Sequence, residues 1–102
     1  MRRTKEPLES KFQSDLIKKI NRILPECIVL KNDPNYLQGV CDLVVLGPNK
    51  YAVLECKRSA KAPKQPNQDY YVNKFKEWSY GSFVYPENEE EVLNELRETF
   101  RS

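Results

Sequence analysis

The sequence predicts an α/β domain whose elements follow the order α-β-β-β-α-β-α. Residues 7–24 carry apolar side chains at helical spacing, and residues 39–58 hold two apolar runs rich in β-branched residues around a Gly-Pro-Asn turn. Residues 67–100 add two helical patterns separated by a short apolar run. The 102 residues fit a single domain, 1–102, in which residues 1–6 form a flexible basic arm.

The first helix is predicted to begin near Pro7 and to end near Leu24, because Pro25 follows. Glu9 lies on its apolar face, where a carboxylate is unexpected unless something inside the fold needs it. The alternative is that Glu9 interacts with the dipole at the start of the helix. The predicted buried stripe consists of Phe12, Leu16, Ile20 and Ile23.

Two β segments follow the first helix. Residues 27–30 read as a short buried strand, and the polar residues 32–38 lead into Gly39, which allows a bend or a close approach of substrate. Residues 39–46 and 51–58 then form a β-hairpin. We expect this hairpin to bury three charged side chains where a core strand would stay apolar, and such interruptions mark function.

The register of the hairpin brings these charges together. A loop with an even number of residues places Leu46 opposite Tyr51 and therefore Asp42 opposite Glu55. Side chains on a strand alternate between its faces, so Lys57 shares the face of Glu55. Two adjacent carboxylates repel each other, which indicates a divalent cation such as Mg²⁺ or Mn²⁺ between them. The alternative is a solvated row of charges in which Asp42 is only a cross-strand salt-bridge partner.

Residues 58–66 form a Lys- and Pro-rich loop after the hairpin. Arg58, Lys61 and Lys64 bring positive charge to the end of the strand that carries Lys57. This loop is interpreted as a contact for phosphate groups, and the alternative is a plain connector.

A second helix is predicted from about Asn67 to Tyr80, followed by Gly81 as its C′ residue. Its inward stripe consists of Gln68, Tyr71, Phe75 and Trp78. Helical spacing favours a core role for the aromatic residues over a platform for stacking bases. Gln68 opens the stripe, where its amide could orient a phosphate or an attacking water, and Gln65 is its rival for this role. Residues 82–85 then form a strand, and an acidic helix ends at Phe100, packed by Val92, Leu93, Leu96 and Phe100.

The amino-acid composition excludes several classes of active site. The chain has no histidine, and its three cysteines lack Cys-x-x-Cys spacing, which excludes Cys/His zinc sites and histidine-dependent nucleophiles. The net charge is +2, but residues 1–24 and 50–77 are basic and residues 86–102 are acidic. No apolar run is long enough for a membrane span, so we expect a soluble, intracellular, cytoplasmic protein without membrane contact, with a virus-encoded origin also conceivable.

Asp42, followed after the hairpin turn by Glu55-x-Lys57, resembles the core motif of the PD-(D/E)XK nuclease superfamily. The Gly39-x-x-Asp42 lead-in is similar to the VRR-NUC and Holliday-junction-resolvase-like branches, and the likeness extends over nearly the whole chain. One position departs from the pattern, because Cys41 stands where the family usually has proline. The resemblance implies a restriction-endonuclease-like αβββαβ core, a mixed sheet flanked by helices, plus a C-terminal helix.

The resemblance also implies an activity, the Mg²⁺-dependent hydrolysis of DNA phosphodiester bonds by an endonuclease specific for DNA structure, such as branches or junctions. It implies that metal is bound by Asp42, Glu55, Glu9 and the backbone carbonyl of Cys56. Lys57 would act on the attacking water and Gln68 would join the catalytic group, while DNA would be contacted by Arg58, Lys61, Lys64 and Gln65. It further implies a homodimer. The alternative is a catalytically silent nuclease-fold module that binds DNA or protein.

Overall fold

The computed structural model describes residues 5–32, 42–63 and 66–101, with residues 5–9 and 66 described by their backbone alone. These residues form three helices and four strands in the predicted order. In chain order they are α1 (Lys5–Ile23), β1 (Ile28–Lys31), β2 (Leu43–Leu46), β3 (Tyr51–Cys56), α2 (Pro66–Trp78), β4 (Tyr80–Val84) and α3 (Glu89–Arg101). The predicted α/β class is therefore confirmed. In the described part of the chain, no helix is long and apolar enough to cross a membrane.

The four strands form one mixed sheet in the order β1-β2-β3-β4. β1 pairs antiparallel with β2, and β2 pairs antiparallel with β3. β4 pairs parallel with β3, which requires a crossover connection, and α2 supplies it. β3 therefore has a neighbour on each side.

The predicted register of the β2–β3 hairpin is confirmed. Leu46 pairs with Tyr51 and Leu43 with Leu54. The Gly47 N–H donates to the Lys50 carbonyl oxygen at 2.9 Å, so the loop between them has two residues. A two-residue loop fixes which side chains share a face, because a shift of one position would move every side chain to the other face.

Most of the core lies on the face of the sheet covered by α1 and α3. Leu16 and Ile20 of α1 and Leu96 of α3 are fully buried, as the helical stripes predict, and Phe12 and Ile23 pack at the edge of this cluster. β3 contributes Ala52, Leu54 and Cys56 to the same face. The opposite face of β3 meets α2 through a smaller cluster centred on Val53 and Val72.

The predicted burial of the first strand is corrected by the structure. β1 is an edge strand whose Ile28 and Leu30 side chains are 61% and 49% exposed, so the predicted buried strand is wrong. These two side chains share the α2 face of the sheet by alternation, and α2 packs over β3 and β4 instead.

Trp78 was expected in the core and is 63% exposed. The inward line of α2 runs through Gln68, Val72 and Phe75 and continues to Ser79, whose hydroxyl donates to the Tyr51 carbonyl at 2.6 Å. Helical spacing is satisfied equally by steps of three and four residues. The packing of α2 on β3 and β4 buries the side of the helix that carries Val72 and Ser79, so Trp78 points to solvent.

The predicted role of Gly81 as the C′ residue of the second helix is also wrong, since Gly81 lies in β4. A Cβ atom on Gly81 would lie 2.7 Å from the Val72 carbonyl oxygen and 2.9 Å from the Lys76 nitrogen. These are backbone atoms of α2, which cannot move aside as a side chain would. The absence of a side chain at Gly81 therefore lets α2 pack closely on β4.

We expect Gly81→Ala to lower the free energy of unfolding by about 1–3 kcal/mol, because the added methyl group forces α2 away from β4. Chemical denaturation followed by circular dichroism measures this change. The control is Ser14→Ala on the exposed side of α1, which should stay within about 0.5 kcal/mol of the parent. Equal stability of Gly81→Ala and the parent would contradict the close packing of α2 on β4.

Candidate functional site

Asp42 and Glu55 meet at the end of the β2–β3 hairpin. Asp42 directly precedes β2, and extending the ladder from the Leu43–Leu54 pair by one residue places it opposite Glu55. The Asn32 N–H donates to the Asp42 carbonyl oxygen at 2.8 Å, so the backbone of Asp42 is turned toward β1. Asp42 and Glu55 are therefore opposite each other without backbone hydrogen bonds between them, and in such pairs the side chains lie closer together.

The Asp42 carboxylate also holds the main chain of β3. Its Oδ2 accepts a hydrogen bond from the Cys56 N–H at 2.9 Å. In a regular ladder that N–H would donate to a main-chain carbonyl of the neighbouring strand, so the side chain takes the place of a backbone partner. In a strand the N–H and C=O of one residue point the same way, which turns the Cys56 carbonyl toward Asp42 as well.

Gln68 joins Glu55 to Lys57. The Gln68 Nε2 donates to Glu55 Oε2 at 2.6 Å, and Gln68 Oε1 accepts from Lys57 Nζ at 2.6 Å. A carboxylate only accepts and an ammonium only donates, so one orientation of the amide satisfies both. The predicted sharing of a face by Glu55 and Lys57 is confirmed by this common partner.

The fold positions all three side chains. Lys57 follows β3 and stays in line with it because its N–H donates to the Val84 carbonyl of β4 at 2.8 Å. Gln68 lies in the first turn of α2, directly above the Glu55 side of the sheet. The Lys57 ammonium also donates to the Pro63 carbonyl at 3.0 Å, which holds the intervening loop against the site.

Glu55 and Lys57 are buried, with 4% and 8% of their surface exposed, while Asp42 is half-buried. The predicted burial is thus confirmed for two of the three charges. Removing such ions from water costs several kcal/mol each unless other groups replace the lost hydration. The hydrogen bonds of Gln68 provide part of that replacement, which indicates a built cluster and argues against a solvated row of charges.

The structure therefore brings together Asp42, Glu55, Lys57 and Gln68, four of the predicted site residues. Arg58 and Lys61 lie exposed on the loop that follows. The Glu9 side chain, Lys64 and Gln65 lie outside the described residues. Sequence reasoning missed the Pro63 carbonyl, because no side-chain pattern signals that a loop folds back to offer a main-chain acceptor.

The donor set fits a hydrated divalent cation. Within residues 10–32, 42–63 and 67–101, no group of three or more acidic, thiol or imidazole ligands converges on one point. Asp42 and Glu55 supply two carboxylates, and the Cys56 carbonyl adds a third oxygen. Mg²⁺ commonly binds through one or two carboxylates and keeps several waters. A carboxylate has about four acceptor positions, so the hydrogen bonds from Cys56 and Gln68 are compatible with metal binding.

Among the described residues outside the site, Tyr80 and Cys27 have shifted pKa values. Burial, with a further contribution from the hydrogen bond to Glu95, raises the pKa of Tyr80 above its usual range. Burial and the charge of Glu26 raise the pKa of the Cys27 thiol. Both side chains pack in the α1/α3 core, on the other side of the sheet from Gln68. They stabilise the helix packing and lie apart from the site.

No protein-family model matches the chain, and no curated protein and no solved structure is significantly similar to it. The function is therefore inferred from the residues of the site and their geometry.

We expect Gln68→Met to lower the free energy of unfolding by about 1–3 kcal/mol, because it removes the half-buried hydrogen-bond partner of the buried Glu55 and Lys57 while keeping the side-chain volume. The loss is measured by chemical denaturation. Gln13→Met is the matched control, since Gln13 is half-buried on α1 and distant from the site. An equal and small effect of the two substitutions would show that the Gln68 bridge contributes nothing to stability.

Proposed function

We propose that the protein is a Mg²⁺-dependent endonuclease of the PD-(D/E)XK type that hydrolyses phosphodiester bonds in DNA. The observation that carries the proposal is the buried cluster in which Gln68 links Glu55 to Lys57 beside Asp42. Two adjacent carboxylates and a lysine are the groups that metal-assisted phosphodiester hydrolysis needs. The mixed sheet with an antiparallel β1-β2-β3 meander and a parallel β4 is compatible with an αβββαβ nuclease core.

Asp42, Glu55 and the Cys56 carbonyl would hold the metal, with Glu9 as a further ligand. A bound Mg²⁺ supplies a water of lowered pKa and neutralises charge on the scissile phosphate. The protein contributes rigid ligands, because each carboxylate is already fixed by a hydrogen bond of 2.9 Å or shorter. Such outer partners orient metal ligands and hold them in place.

Lys57 would act on the attacking water or on the phosphate. An ammonium group has three protons. Within the described residues, two of them are directed to Gln68 and to the Pro63 carbonyl. The third remains for a substrate oxygen, and a fixed cation at that point stabilises the charge that develops in the transition state. Gln68 is the positioning residue that aims both Lys57 and Glu55.

DNA is proposed as the substrate because Arg58 and Lys61 are exposed cations on the loop that follows Lys57. Together with Lys64 and Gln65, they would contact the sugar-phosphate backbone, which carries no sequence information. Contacts of this kind favour recognition of DNA structure, such as branches or junctions. A homodimer would allow two sites to cut two strands symmetrically.

A catalytically silent nuclease-fold module that binds DNA or protein is the second candidate. It is favoured by the structural role of the Asp42 carboxylate, whose bond to the Cys56 N–H would be kept for folding even if cleavage were lost. The two candidates differ in turnover, since a silent module binds DNA but leaves it intact in Mg²⁺.

We expect Glu55→Gln and Lys57→Met each to reduce cleavage of branched DNA by more than about 100-fold, because ligand charge or transition-state charge is lost. Ca²⁺ should support DNA binding without turnover. Cleavage is measured on branched, single-stranded and duplex DNA with Mg²⁺, Mn²⁺, Ca²⁺ or EDTA.

Glu90→Gln and Lys18→Met, at exposed positions on α3 and α1, are the matched controls and should cleave like the parent. Melting curves establish that every variant is folded. Full activity in folded Glu55→Gln would refute the proposed site.

We expect Asp42→Asn to melt at a higher temperature than the parent in EDTA. Asparagine keeps the carbonyl oxygen that accepts from Cys56 and removes the repulsion between Asp42 and Glu55. A gain of about 1 kcal/mol corresponds to roughly 4–8 °C for a domain of this size. Added Mg²⁺ should stabilise the parent and hardly change the mutant, because a ligand that binds only the folded state shifts its equilibrium.

Thermal melting of the parent and of Asp42→Asn, with EDTA and with titrated Mg²⁺, measures both effects. If Asp42 is only a structural ion-pair partner, Asp42→Asn is destabilised and metal affects neither protein. That pair of results would overturn the metal site.

A further inference from the structure

α2 presents an aromatic surface to solvent on the side that does not face the sheet. Tyr70 and Trp78 are 59% and 63% exposed, although large aromatic side chains usually bury most of their surface. They lie eight residues apart, two turns along one side of the helix. Lys74 lies between them in sequence and on the same side. We call Tyr70, Lys74 and Trp78 the aromatic–lysine surface.

The Lys74 ammonium lies between the two rings. Its Nζ is 5.6 Å from the centre of the Tyr70 ring and 6.0 Å from the Trp78 ring, within the range of cation–π attraction. A cation flanked by two exposed rings matches a single nucleic-acid strand, in which each phosphate lies between successive bases. The rings offer stacking faces, and the ammonium offers a partner for the phosphate between them.

The exposed rings are held in place by other aromatic residues. The Trp78 ring meets the Phe75 ring edge to face, with 5.8 Å between the ring centres, and the Phe75 ring stacks on the Tyr71 ring, with 6.2 Å between the centres. Tyr71 in turn contacts Tyr70 at 5.3 Å. This row of contacts fixes both exposed rings to the half-buried part of α2. A fixed ring loses little entropy when a base stacks on it.

Two open grooves flank the surface. One, of about 490 Å³, is lined by Trp78 together with Asn49, Lys50 and Thr99, and its size is in the range of small-ligand sites. The other, of about 480 Å³, is lined by Tyr70, Lys74, Lys76, Asn73 and Glu77. Among the described residues that line the two grooves there are three lysines and one acid, so their charge favours a polyanion.

The surface begins close to the proposed catalytic site along α2, since Tyr70 follows Gln68 by two residues, but the two side chains lie on opposite sides of the helix. Helical rise places Trp78 roughly 15 Å along the axis from Gln68. A strand that passes from the site around the start of α2 and then follows the outer side of the helix would reach both exposed rings.

We propose that the aromatic–lysine surface binds unpaired nucleotides of DNA, with bases stacked on Tyr70 and Trp78 and a phosphate bound to Lys74. This inference rests on the proposed function in taking DNA as the ligand, and it assigns to the substrate a single-stranded segment beside the cut. Base stacking tolerates any sequence, because every base has a π-face. A protein partner is the competing occupant, and the lysines interleaved with the rings favour nucleic acid over it.

The chain contains one tryptophan, so its fluorescence reports on Trp78 directly. The parent is titrated in EDTA, where no cleavage occurs, with oligothymidylate, with an abasic strand of equal length and with a blunt duplex. We expect saturable quenching by oligothymidylate and little by the abasic strand or the duplex. Quenching by the abasic strand equal to that by oligothymidylate would overturn the proposal.

Affinity for labelled oligothymidylate is then compared by fluorescence anisotropy. Trp78→Leu should weaken binding roughly tenfold or more, and Trp78→Phe should keep most of the affinity because it keeps an aromatic face. Lys74→Ala should reduce the salt slope by about one. Ile28→Ala is the matched control, since Ile28 is 61% exposed on β1, and it should bind like the parent.

Equal affinity of Trp78→Leu and the parent would overturn the proposal. So would a Trp78 emission that changes with protein concentration and not with DNA, because that result indicates a protein interface. Failure of the proposed nuclease activity gives a different result. Trp78-dependent binding without any cleavage would leave a nucleic-acid-binding module. Cleavage without Trp78-dependent binding would leave the nuclease and remove the stacking surface.

Discussion

The bridge that Gln68 forms between Glu55 and Lys57 is the interaction on which the arrangement of the site depends. Two buried ions of opposite charge are stable only if other groups replace their hydration, and the amide satisfies one with its N–H and the other with its carbonyl. These bonds tie the first turn of α2 to the end of β3. The Pro63 carbonyl ties the connecting loop to the same lysine. The crossover that makes β4 parallel to β3 is thereby fixed at the site itself.

With its start held at the site, α2 packs along β3 and β4 over its whole length. Val72 packs on Val53, Gly81 lets the helix backbone approach β4, and Ser79 bonds to Tyr51 at the far end. The helix covers β3 and β4, so one face of β1 stays exposed. The same placement turns Tyr70 and Trp78 away from the sheet. The polar bridge at the start of α2 and the packing along it together set which side of the helix, with Tyr70 and Trp78, meets solvent.

In the proposed nuclease, the Asp42 carboxylate would serve both folding and chemistry. Its bond to the Cys56 N–H replaces a main-chain partner at the end of the hairpin. In the proposed nuclease this bond also orients a metal ligand and the adjacent carbonyl before metal arrives. Preorganised ligands spare the site a rearrangement during the reaction. A structural contribution of Asp42 and a catalytic one are therefore compatible, and they are separated by a substitution that keeps the oxygen and removes the charge.

The element order, the hairpin register and the shared face of Glu55 and Lys57 followed from the sequence, because local spacing and a two-residue turn determine them. The sequence also indicated the joining of Asp42, Glu55 and Lys57, and it left Gln68 and Gln65 as rivals for the amide beside them. Only the tertiary structure decided that β1 lies at the edge and that Trp78 faces solvent. Steps of three and four residues are equally helical. From Phe75 the inward stripe can therefore continue to Trp78 or to Ser79. The packing of α2 on β3 and β4 selects Ser79. Burial depends on which elements become neighbours, and a local pattern does not contain that information.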